Sequence, residues 1–235
     1  MAGATIAEDE YLQTIFWLHE AGLPITGANI ARAMQLSAPT VHEMVGRLEK
    51  DGFITRAADK AISFTPEGLE QAESVVRRHR LIERFLTDVL KIPWDDVHEE
   101  AERLEHAMSP NLEARMMAAI GDAKTCPHGH PIEPGTRIEG VPLGDCEVGA
   151  KVTILRFENE AEDLLHLFKR EGLEPGREGK VASVDDEHMT VDFGGQTATL
   201  TRSVAETISV LADPSPPPRI ALPEQLVIGT ERYGR

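Results

Sequence analysis

The chain has 235 residues, and 24 Lys and Arg against 40 Asp and Glu give it a formal net charge of −16. This length predicts one large or two small domains with a sizeable core, and the acidic balance excludes binding of nucleic acid through overall positive charge. A hydrophobic fraction of 41% is typical of a folded chain, and no apolar run is long enough to span a membrane. Because two cysteines are too few for a disulfide framework, we expect a reducing, cytoplasmic location.

The first quarter of the chain has the pattern of a small DNA-binding unit. Residues 8–20 and 27–34 place apolar side chains at helical spacing, and Ser37 is a good N-cap for a third helix. Residues 53–56 and 61–65 alternate apolar and polar side chains around a polar tip, which predicts a two-stranded hairpin. Two short helices, a tight turn and a following hairpin predict a winged helix-turn-helix.

Helices and then a β-rich segment follow the hairpin. Thr65 and Pro66 predict the start of a long helix, and residues 96–108 and 109–121 predict two more. The Pro- and Gly-rich stretch from 124 to 149 predicts a linker. After the linker, short alternating runs favour a small β-barrel over a sandwich. They lie at 150–157, 179–184, 188–193 and 196–201.

The segment from residue 98 to residue 106 carries the most informative chemistry. At about 100° per residue, its two histidines and two of its glutamates share one stripe of a helix, and a His–Glu pair four residues apart lies on the preceding helix. Neighbouring helices that present His and Glu to each other can hold divalent metals, which accept imidazole nitrogen and carboxylate oxygen together. A solvated acidic face explains the pattern about equally well. The candidate ligands are His79, Glu83, His98, Glu102, Glu105 and His106.

Ordered segments along most of the chain match a known family. They are EYLQTIFWL (10–18), IARAMQLSAPTVHEMVGRLEKDGFI (30–54), FTPEGLEQA (64–72), RRHRLIERFLTDVL (77–90), VHEEAERLEHAMS (97–109), PHGHPI (127–132), VPLGDCEVG (141–149) and LEPGREGKV (173–181). Together these segments resemble the diphtheria toxin repressor family, which includes iron-dependent and manganese-dependent regulators. The last three segments resemble the linker and the SH3-like third domain of that family.

The resemblance implies a mainly α fold with β structure. A winged helix-turn-helix is expected to precede a helical dimerisation domain and a C-terminal SH3-like small β-barrel. We therefore predict five segments. They are a winged helix-turn-helix DNA-binding domain over 1–73, a helical metal-binding and dimerisation domain over 74–125, a Pro/Gly-rich linker over 126–147, an SH3-like, FeoA-like domain over 148–212 and a disordered tail over 213–235.

The resemblance also implies two metal sites per chain. Glu10 replaces a methionine of the toxin repressor and Glu102 a cysteine of iron-type members, so hard oxygen ligands favour Mn(II), with Fe(II) as the alternative. Gln13 departs from the acidic residue that is common in manganese-type members. With a one-residue gap, Glu160 and Asp163 match a pair that completes the first site. His79, Glu83 and His98 match the first site, and Glu10, Glu102, Glu105 and His106 match the second.

In this fold the third helix enters the major groove of DNA. The ring of Pro39 and the methyl group of Thr40 are suited to contact thymine methyl groups, and nearby cations are suited to phosphates. Glu43 could accept a hydrogen bond from a cytosine amino group, but we favour an ion pair with Arg47. The predicted DNA contacts are Ser37, Pro39, Thr40, Glu43, Arg47, Lys50, Arg56 and Lys60.

These observations predict a metal-dependent transcriptional regulator that acts as a repressor. We expect it to bind palindromic operators when loaded with Mn(II) or Fe(II), and to control metal homeostasis genes. Because a two-fold dimer reads a palindrome, we expect a homodimer, with two dimers on one operator as a further option. The predicted dimer surface consists of Leu81, Phe85, Leu86, Val89, Met116, Met117 and Ile120.

Two other function classes stay open at this point. A di-metal hydrolase could use the His/Glu cluster to activate water, although the chain lacks a nucleophile motif or a phosphate-binding loop. An adaptor could bind a peptide through the sheet of its C-terminal barrel. Metal-dependent DNA binding separates the regulator from both alternatives.

A short cluster of possible ligands lies in the predicted linker. Cys126, His128 and His130 are close enough in sequence to ligate zinc together. Because no fourth ligand is near them in the sequence, we interpret them as structural residues of a Pro- and Gly-rich loop.

Overall fold

The structure is a computed structural model, and it describes residues 4–216. The helices are α1 (Ile6–Glu20), α2 (Gly27–Met34), α3 (Ala38–Lys50), α4 (Pro66–Asp88), α5 (His98–Glu105), α6 (Pro110–Ala119), α7 (Glu162–Arg170) and α8 (Arg202–Ala205). The strands are β1 (Ile54–Arg56), β2 (Ile62–Phe64), β3 (Val141–Pro142), β4 (Lys151–Phe157), β5 (Glu178–Val184), β6 (His188–Asp192), β7 (Thr197–Thr201) and β8 (Ile208–Asp213). Within residues 4–216, no helix is long and apolar enough to cross a membrane.

The N-terminal unit has the predicted order of three helices and a hairpin. Ser37 caps α3, since its hydroxyl accepts a hydrogen bond from the Thr40 amide at 3.3 Å. β1 and β2 pair in antiparallel register, with Thr55 opposite Ser63. The first three helices and the hairpin share one apolar core. The buried centre of that core includes Leu12, Ile15, Ile30, Leu48 and Ile54.

α4 is a single helix of 23 residues that belongs to two cores. Thr65 caps it and Pro66 occupies its first turn, as predicted. Val76, in its first half, packs into the N-terminal core, whereas Leu81 and Ile82 are buried in a second core with α5 and α6. The helix is continuous across the boundary predicted after residue 73, so that boundary stays a prediction.

α5 is shorter than predicted. The apolar pattern suggested a helix over 96–108, but regular helix covers only His98–Glu105. The Asp96 amide is instead bonded to the Pro93 carbonyl in a turn, and the Ala107 amide to the Leu104 carbonyl in another. Turn structure at both ends therefore confines α5 to eight residues, which include the candidate ligands His98, Glu102 and Glu105 and leave His106 just beyond its end.

The C-terminal domain contains one antiparallel sheet of six strands. Their order is β3-β8-β4-β5-β6-β7, and β3 and β7 lie at its two edges without pairing to each other. The described sheet is therefore open, and the predicted closed barrel is not observed. Phe157 and Phe168 stack at the centre of its core, with ring centroids 4.4 Å apart. The sequence predicted four of these strands, but it missed β3 and β8.

The end of the chain is described only in part. β8 ends at Asp213, which is the first residue of the predicted disordered tail 213–235. Residues 217–235 of that tail lie outside the described residues, so the prediction for them is untested.

The predicted dimer surface lies partly inside the monomer. Its exposed member is Val89, which is 43% exposed. Two other apolar side chains of the helical domain that were not predicted for this surface are also exposed, Leu90 at 56% and Leu112 at 43%. Phe85 and Met117 are only partly buried against the second core. The remaining members, which are buried in that core, are Leu81, Leu86, Met116 and Ile120.

Candidate metal centre

Three of the predicted ligands converge between α4 and α5. His79 and Glu83 lie one turn apart on α4, with His79 Nε2 3.0 Å from Glu83 Oε1. His98 begins α5, and its Nδ1 atom lies 3.1 Å from Glu83 Oε1 and 3.2 Å from His79 Nε2. Glu83 is fully buried, so its charge requires partners inside the protein. The predicted helical spacing therefore produces a compact group of ligand-type atoms.

The C-terminal domain adds a carboxylate to this group. Glu160 follows β4, and its Oε2 atom lies 2.9 Å from His98 Nδ1. Each of His79, Glu83, His98 and Glu160 offers one ligand atom, and these atoms all lie within 4.8 Å of one another. Asp163, the second residue of the predicted pair, bonds instead to the Leu164 amide in the first turn of α7. The structure thus brings Glu160 to the group and leaves Asp163 on the wall of the adjoining cavity.

The linker supplies two residues that the sequence interpretation missed. His128 Nδ1 lies 3.2 Å from Glu83 Oε1 and 3.5 Å from Glu160 Oε2. The buried Cys126 completes a second set of ligand atoms within 4.8 Å of one another, together with Glu83, His128 and Glu160. We call the six residues the buried cluster. It consists of His79, Glu83, His98, Cys126, His128 and Glu160.

The signal for these linker residues was present in the Cys-x-His-x-His spacing. We assigned that loop a structural role because no fourth ligand was near it in the sequence. The missing partners are Glu83 and Glu160, which tertiary packing supplies from α4 and from the end of β4. The loop also has a structural role, since His128 Nε2 lies 2.8 Å from the Trp94 carbonyl oxygen and is oriented by it.

The buried cluster fits a divalent metal ion. Within residues 4–216, Glu83 Oε2 is buried without a hydrogen-bond partner, and His128 Nδ1 is buried and forms no well-aligned hydrogen bond, although Glu83 Oε1 lies 3.2 Å away. Leaving such atoms unsatisfied is costly, so they are suited to an ion that accepts their lone pairs. The set of imidazoles, carboxylates and one thiol matches the ligands that first-row divalent metals take in proteins. A cavity of about 800 Å³ leads from α1, α5 and α7 to His98 and Glu160.

The second predicted site is more open. Glu105 is almost fully buried, and its Oε1 atom lies 3.3 Å from His106 Nε2. Glu10 on α1 and Glu102 on α5 line a cavity of about 420 Å³ beside His106. Among the described residues, no three of these four side chains place ligand atoms within 4.8 Å of one another. We call Glu10, Glu102, Glu105 and His106 the α1–α5 cluster.

One histidine joins the two clusters. His79 Nδ1 lies 2.7 Å from Glu105 Oε2, while its Nε2 atom faces Glu83. Gln13, where manganese-type relatives were expected to carry an acidic residue, donates a hydrogen bond to the same Glu105 oxygen at 3.3 Å. Glu105 on α5 therefore contacts both α1 and α4. The contact between Glu105 and His79 connects the α1–α5 cluster to the buried cluster.

Within the buried cluster, mutual contact raises the pKa values of three imidazoles and lowers those of two carboxylates. These groups are His79, His98 and His128, and Glu83 and Glu160. Burial acts to lower the pKa of His98, but hydrogen bonds with Glu160 and Glu83 outweigh it and raise the pKa to about 9. Burial is likewise outweighed at His79, whose pKa is raised well above its usual value by Glu83 and Glu105. The pKa of Glu83 is held well below its usual range, since the charges of His128 and His79 overcome the effect of burial.

Metal binding at the buried cluster is therefore expected to release protons. Since the folded pKa of His98 is about 9, a metal ion must displace its proton at neutral pH. We expect the Mn(II) affinity to rise from pH 6 to pH 9 by about tenfold per pH unit for each proton displaced. Calorimetry in two buffers of different ionisation enthalpy measures the protons released, and an affinity independent of pH contradicts the prediction.

The same shift sets the pH dependence of the metal-free fold. The pKa of His98 is higher in the folded chain, about 9, than its ordinary value of 6.5. Its contribution to stability is therefore complete below about pH 6.5 and is lost as the pH rises through about 9. Urea unfolding of the metal-free protein across this range measures the loss.

The predicted DNA contacts lie on an exposed face of the N-terminal unit. The first half of α3 presents Pro39, Thr40 and Glu43 to solvent, as expected for a recognition helix. The ion pair predicted between Glu43 and Arg47 does not form in the described part of the chain. Arg47 Nε instead lies 2.8 Å from Glu8 Oε1 and 3.7 Å from Asp51 Oδ2.

The remaining cations lie at the end of α3 and on the hairpin. Lys50 is exposed in the last turn of α3, and Lys60 is exposed at the hairpin tip. Arg56 on β1 is paired with Glu49, which reduces its free charge for a phosphate group. Ser37 is occupied as the α3 cap, so its hydroxyl already bonds to Thr40.

The chain is similar to repressors over most of its length. The diphtheria toxin repressor of Corynebacterium diphtheriae is 34% identical over 216 residues, which cover 85% of this chain and 94% of that protein. The iron-dependent repressor IdeR of Mycobacterium tuberculosis is 34% identical over 218 residues, with the same coverage. The chain belongs to the iron-dependent repressor family.

Family models match three successive parts of this family member, and solved structures match most of its length. The N-terminal DNA-binding domain of iron-dependent repressors matches residues 5–62, their metal-binding and dimerisation domain matches 65–134, and the FeoA domain matches 141–212. A manganese-dependent transcriptional repressor in complex with manganese has a TM-score of 0.78 and 29% identity, covering 87% of this chain and 99% of its own. IdeR of T. acidophilum has a TM-score of 0.72 and 28% identity, covering 89% and 99%.

Membership of the family decides between the function classes. The family consists of metal-dependent, DNA-binding transcriptional repressors rather than enzymes. The hydrolase alternative therefore has no support from the comparisons.

Proposed function

We propose that this protein represses metal homeostasis genes in the cytoplasm by binding palindromic operators as a homodimer when it is loaded with Mn(II) or Fe(II). The observation that carries the proposal is the convergence of ligand-type side chains from α4, α5, the linker and the end of β4 in the buried cluster. Glu10 of α1, in the winged helix-turn-helix, lines the cavity of the neighbouring α1–α5 cluster. A change in ion occupancy therefore acts on the contacts between the DNA-binding unit and the remainder of the chain.

We further propose two metal sites per chain, at the buried cluster and at the α1–α5 cluster. Glu10, Glu102 and Glu105 offer hard oxygen ligands, which favour Mn(II), with Fe(II) as the alternative. The thiol of Cys126 makes the buried cluster softer, and burial raises its pKa, so it must lose a proton to bind a metal. Among structurally similar proteins, ScaR has been solved with Zn²⁺ and with Cd²⁺.

The switch depends on how α1 is held against α5. A bound divalent ion supplies positive charge among the carboxylates of the α1–α5 cluster. Without that charge, Glu10, Glu102 and Glu105 repel one another across the α1–α5 contact, which weakens the hold on α1. The Gln13–Glu105 hydrogen bond is the direct tie between these two helices, so its geometry reports the state of the site.

Dimer formation places two recognition helices on one operator. The side chains of Val89, Leu90 and Leu112 expose apolar surface on the helical domain, and such surface is suited to burial in a dimer interface. One winged helix contacts too little DNA for specificity, whereas a two-fold dimer reads both half-sites. We propose the SH3-like fold for the C-terminal domain and, for longer operators, two dimers on one DNA.

Binding of DNA with and without Mn(II) tests the function. Duplexes selected from a random pool in the presence of Mn(II) are expected to bind the wild-type protein at least about tenfold more tightly with the ion than with chelator. Glu102→Ala is expected to remove most of this difference, because it deletes one ligand of the α1–α5 cluster. Electrophoretic mobility shifts measure the affinities.

The matched control is Glu99→Ala. Glu99 lies on the same helix but is exposed and paired with Arg103, so its loss is expected to leave the Mn(II) dependence unchanged. Equal DNA binding by the wild-type protein with and without Mn(II), and by Glu102→Ala, would refute the proposed function.

A further inference from the structure

The first turn of α1 contains a buried carboxylate with an unusual set of partners. Glu8 is 3% exposed, although it is charged and lies near the end of the chain. Its Oε2 atom accepts hydrogen bonds from the Thr5 amide at 2.7 Å and from the Thr5 hydroxyl at 2.8 Å. Its Oε1 atom lies 2.8 Å from Arg47 Nε on α3. The carboxylate therefore joins the N-terminal cap of α1 to the recognition helix.

The next two residues along α1 point to other helices. Asp9 accepts a hydrogen bond from Gln71 Nε2 on α4 at 2.7 Å, and its second oxygen lies 3.8 Å from His106 Nδ1. Glu10 lines the cavity of the α1–α5 cluster beside Glu102. Three successive acidic residues thus contact α3, α4 and the surroundings of α5. One helical turn therefore contacts both the recognition helix and the surroundings of the candidate metal ligands.

We propose that Glu8 is a positioning residue that transmits the state of the α1–α5 cluster to α3 through Arg47. This inference rests on the proposed function and names its route of regulation. Asp9 and Glu10 hold the first turn of α1 when the cluster is charge-balanced, and Glu8 in the same turn then holds Arg47. When the turn loosens, the ion pair between the buried Glu8 and the half-exposed Arg47 opens and α3 loses its fixed orientation. Arg47 accordingly acts in the coupling rather than as a simple phosphate contact.

Two other roles for Glu8 give different results. If Glu8 only capped α1, it would stabilise α1, and the order of α3 would not change when the metal ion binds. A carboxylate that competes with DNA phosphates for Arg47 would weaken DNA binding in every metal state. The proposed link instead makes the response of α3 depend on Glu8 and Arg47 together.

Amide hydrogen exchange with Mn(II) as the only added ligand tests the link without DNA. In the wild-type protein, Mn(II) is expected to slow exchange both in the first turn of α1 and along α3. In Glu8→Gln and in Arg47→Gln, Mn(II) is expected to slow exchange in α1 but not in α3. The Mn(II) affinity from calorimetry is expected to stay within about twofold, since neither side chain belongs to the α1–α5 cluster.

The control is Glu49→Gln, which removes a separate carboxylate–arginine pair of this unit, between Glu49 on α3 and Arg56 on β1. It is expected to keep the wild-type response of α3. A response of α3 that persists in Glu8→Gln, or that is absent in the wild-type protein while α1 responds, overturns the link. Absence of any response to Mn(II) in the wild-type protein overturns the proposed function and the link together.

DNA affinity gives the second readout. In the presence of Mn(II), Glu8→Gln is expected to bind selected duplexes about fivefold or more weakly than the wild-type protein. In an Arg47→Gln background, the same substitution is expected to have no further effect, because the pair acts as one unit. A gain in affinity on Glu8→Gln, or an undiminished loss in the Arg47→Gln background, overturns the proposal. Thermal unfolding of each variant confirms that the fold is retained.

Discussion

Glu105→Gln is expected to abolish metal-dependent DNA binding. The wild-type carboxylate has one oxygen 3.3 Å from His106 Nε2 within the α1–α5 cluster and the other 2.7 Å from His79 Nδ1 of the buried cluster, so it contacts both. The substitution removes a negative charge from a side chain that is only 1% exposed, where solvent cannot compensate for the lost charge. We expect the Mn(II) affinity to fall by about 100-fold. Calorimetry and mobility shifts with Mn(II) measure the two losses.

A control on the same helix separates this effect from a general change of charge. Glu100→Gln removes an exposed carboxylate that is paired with Arg103, so Mn(II) affinity and DNA binding are expected to stay at wild-type levels. Urea unfolding without metal shows whether Glu105→Gln is still folded. A folded Glu105→Gln protein with wild-type Mn(II) affinity would contradict the role of Glu105.

Gly129→Ala is expected to remove the linker loop from the buried cluster. Gly129 has a φ of +97°, and an added Cβ atom would lie 2.0 Å from the Leu155 carbonyl oxygen and 2.7 Å from Arg156 Cα. Because both are backbone atoms of β4, the loop must move to relieve the contact. His128 would then leave Glu83, and we expect a loss of at least about tenfold in Mn(II) affinity at this cluster.

The cost of Gly129→Ala in folding free energy has two parts, which are backbone strain and the collision with β4. The same substitution at a second glycine measures the strain alone. Gly135 has a φ of +80°, but an added Cβ atom there meets nothing within 4 Å. Gly135→Ala therefore carries only the backbone strain, about 1–3 kcal/mol, whereas Gly129→Ala adds the collision with β4. Urea unfolding of both variants measures the difference. Equal stability and equal Mn(II) affinity for the two variants would show that the loop adapts without leaving the cluster.

Local patterns were sufficient for the elements that carry their own signals. Ser37 and Thr65 marked the starts of α3 and α4 because capping is decided within one turn of chain. The spacing of four between His79 and Glu83 placed both on one face of α4, and tertiary packing then brought them together with His98. Helix caps and helical spacing depend on a few neighbouring residues, so the sequence predicts them without knowledge of the tertiary structure.

Contacts between distant segments could not be predicted from periodicity. Arg47 was expected to pair with Glu43 one turn away, but its half-exposed guanidinium lies against the buried carboxylate of Glu8, which α1 brings from elsewhere in the chain. His128 reaches Glu83 only after the linker docks against β4. β8 was missed because a short apolar run without clear alternation identifies neither a strand nor its partners.

The continuity of α4 constrains how the protein can move. With no Gly or Pro after its first turn, this helix of 23 residues behaves as a stiff rod about 35 Å long. A tilt of about 5° at one end displaces the other by about 3 Å. In a two-fold dimer such displacements would double, against a half-site spacing of about 34 Å. A sub-ångström shift around a bound ion that tilts α4 can therefore displace the recognition helices of a dimer by several ångströms. Their spacing would then no longer match the spacing of the half-sites in the major groove.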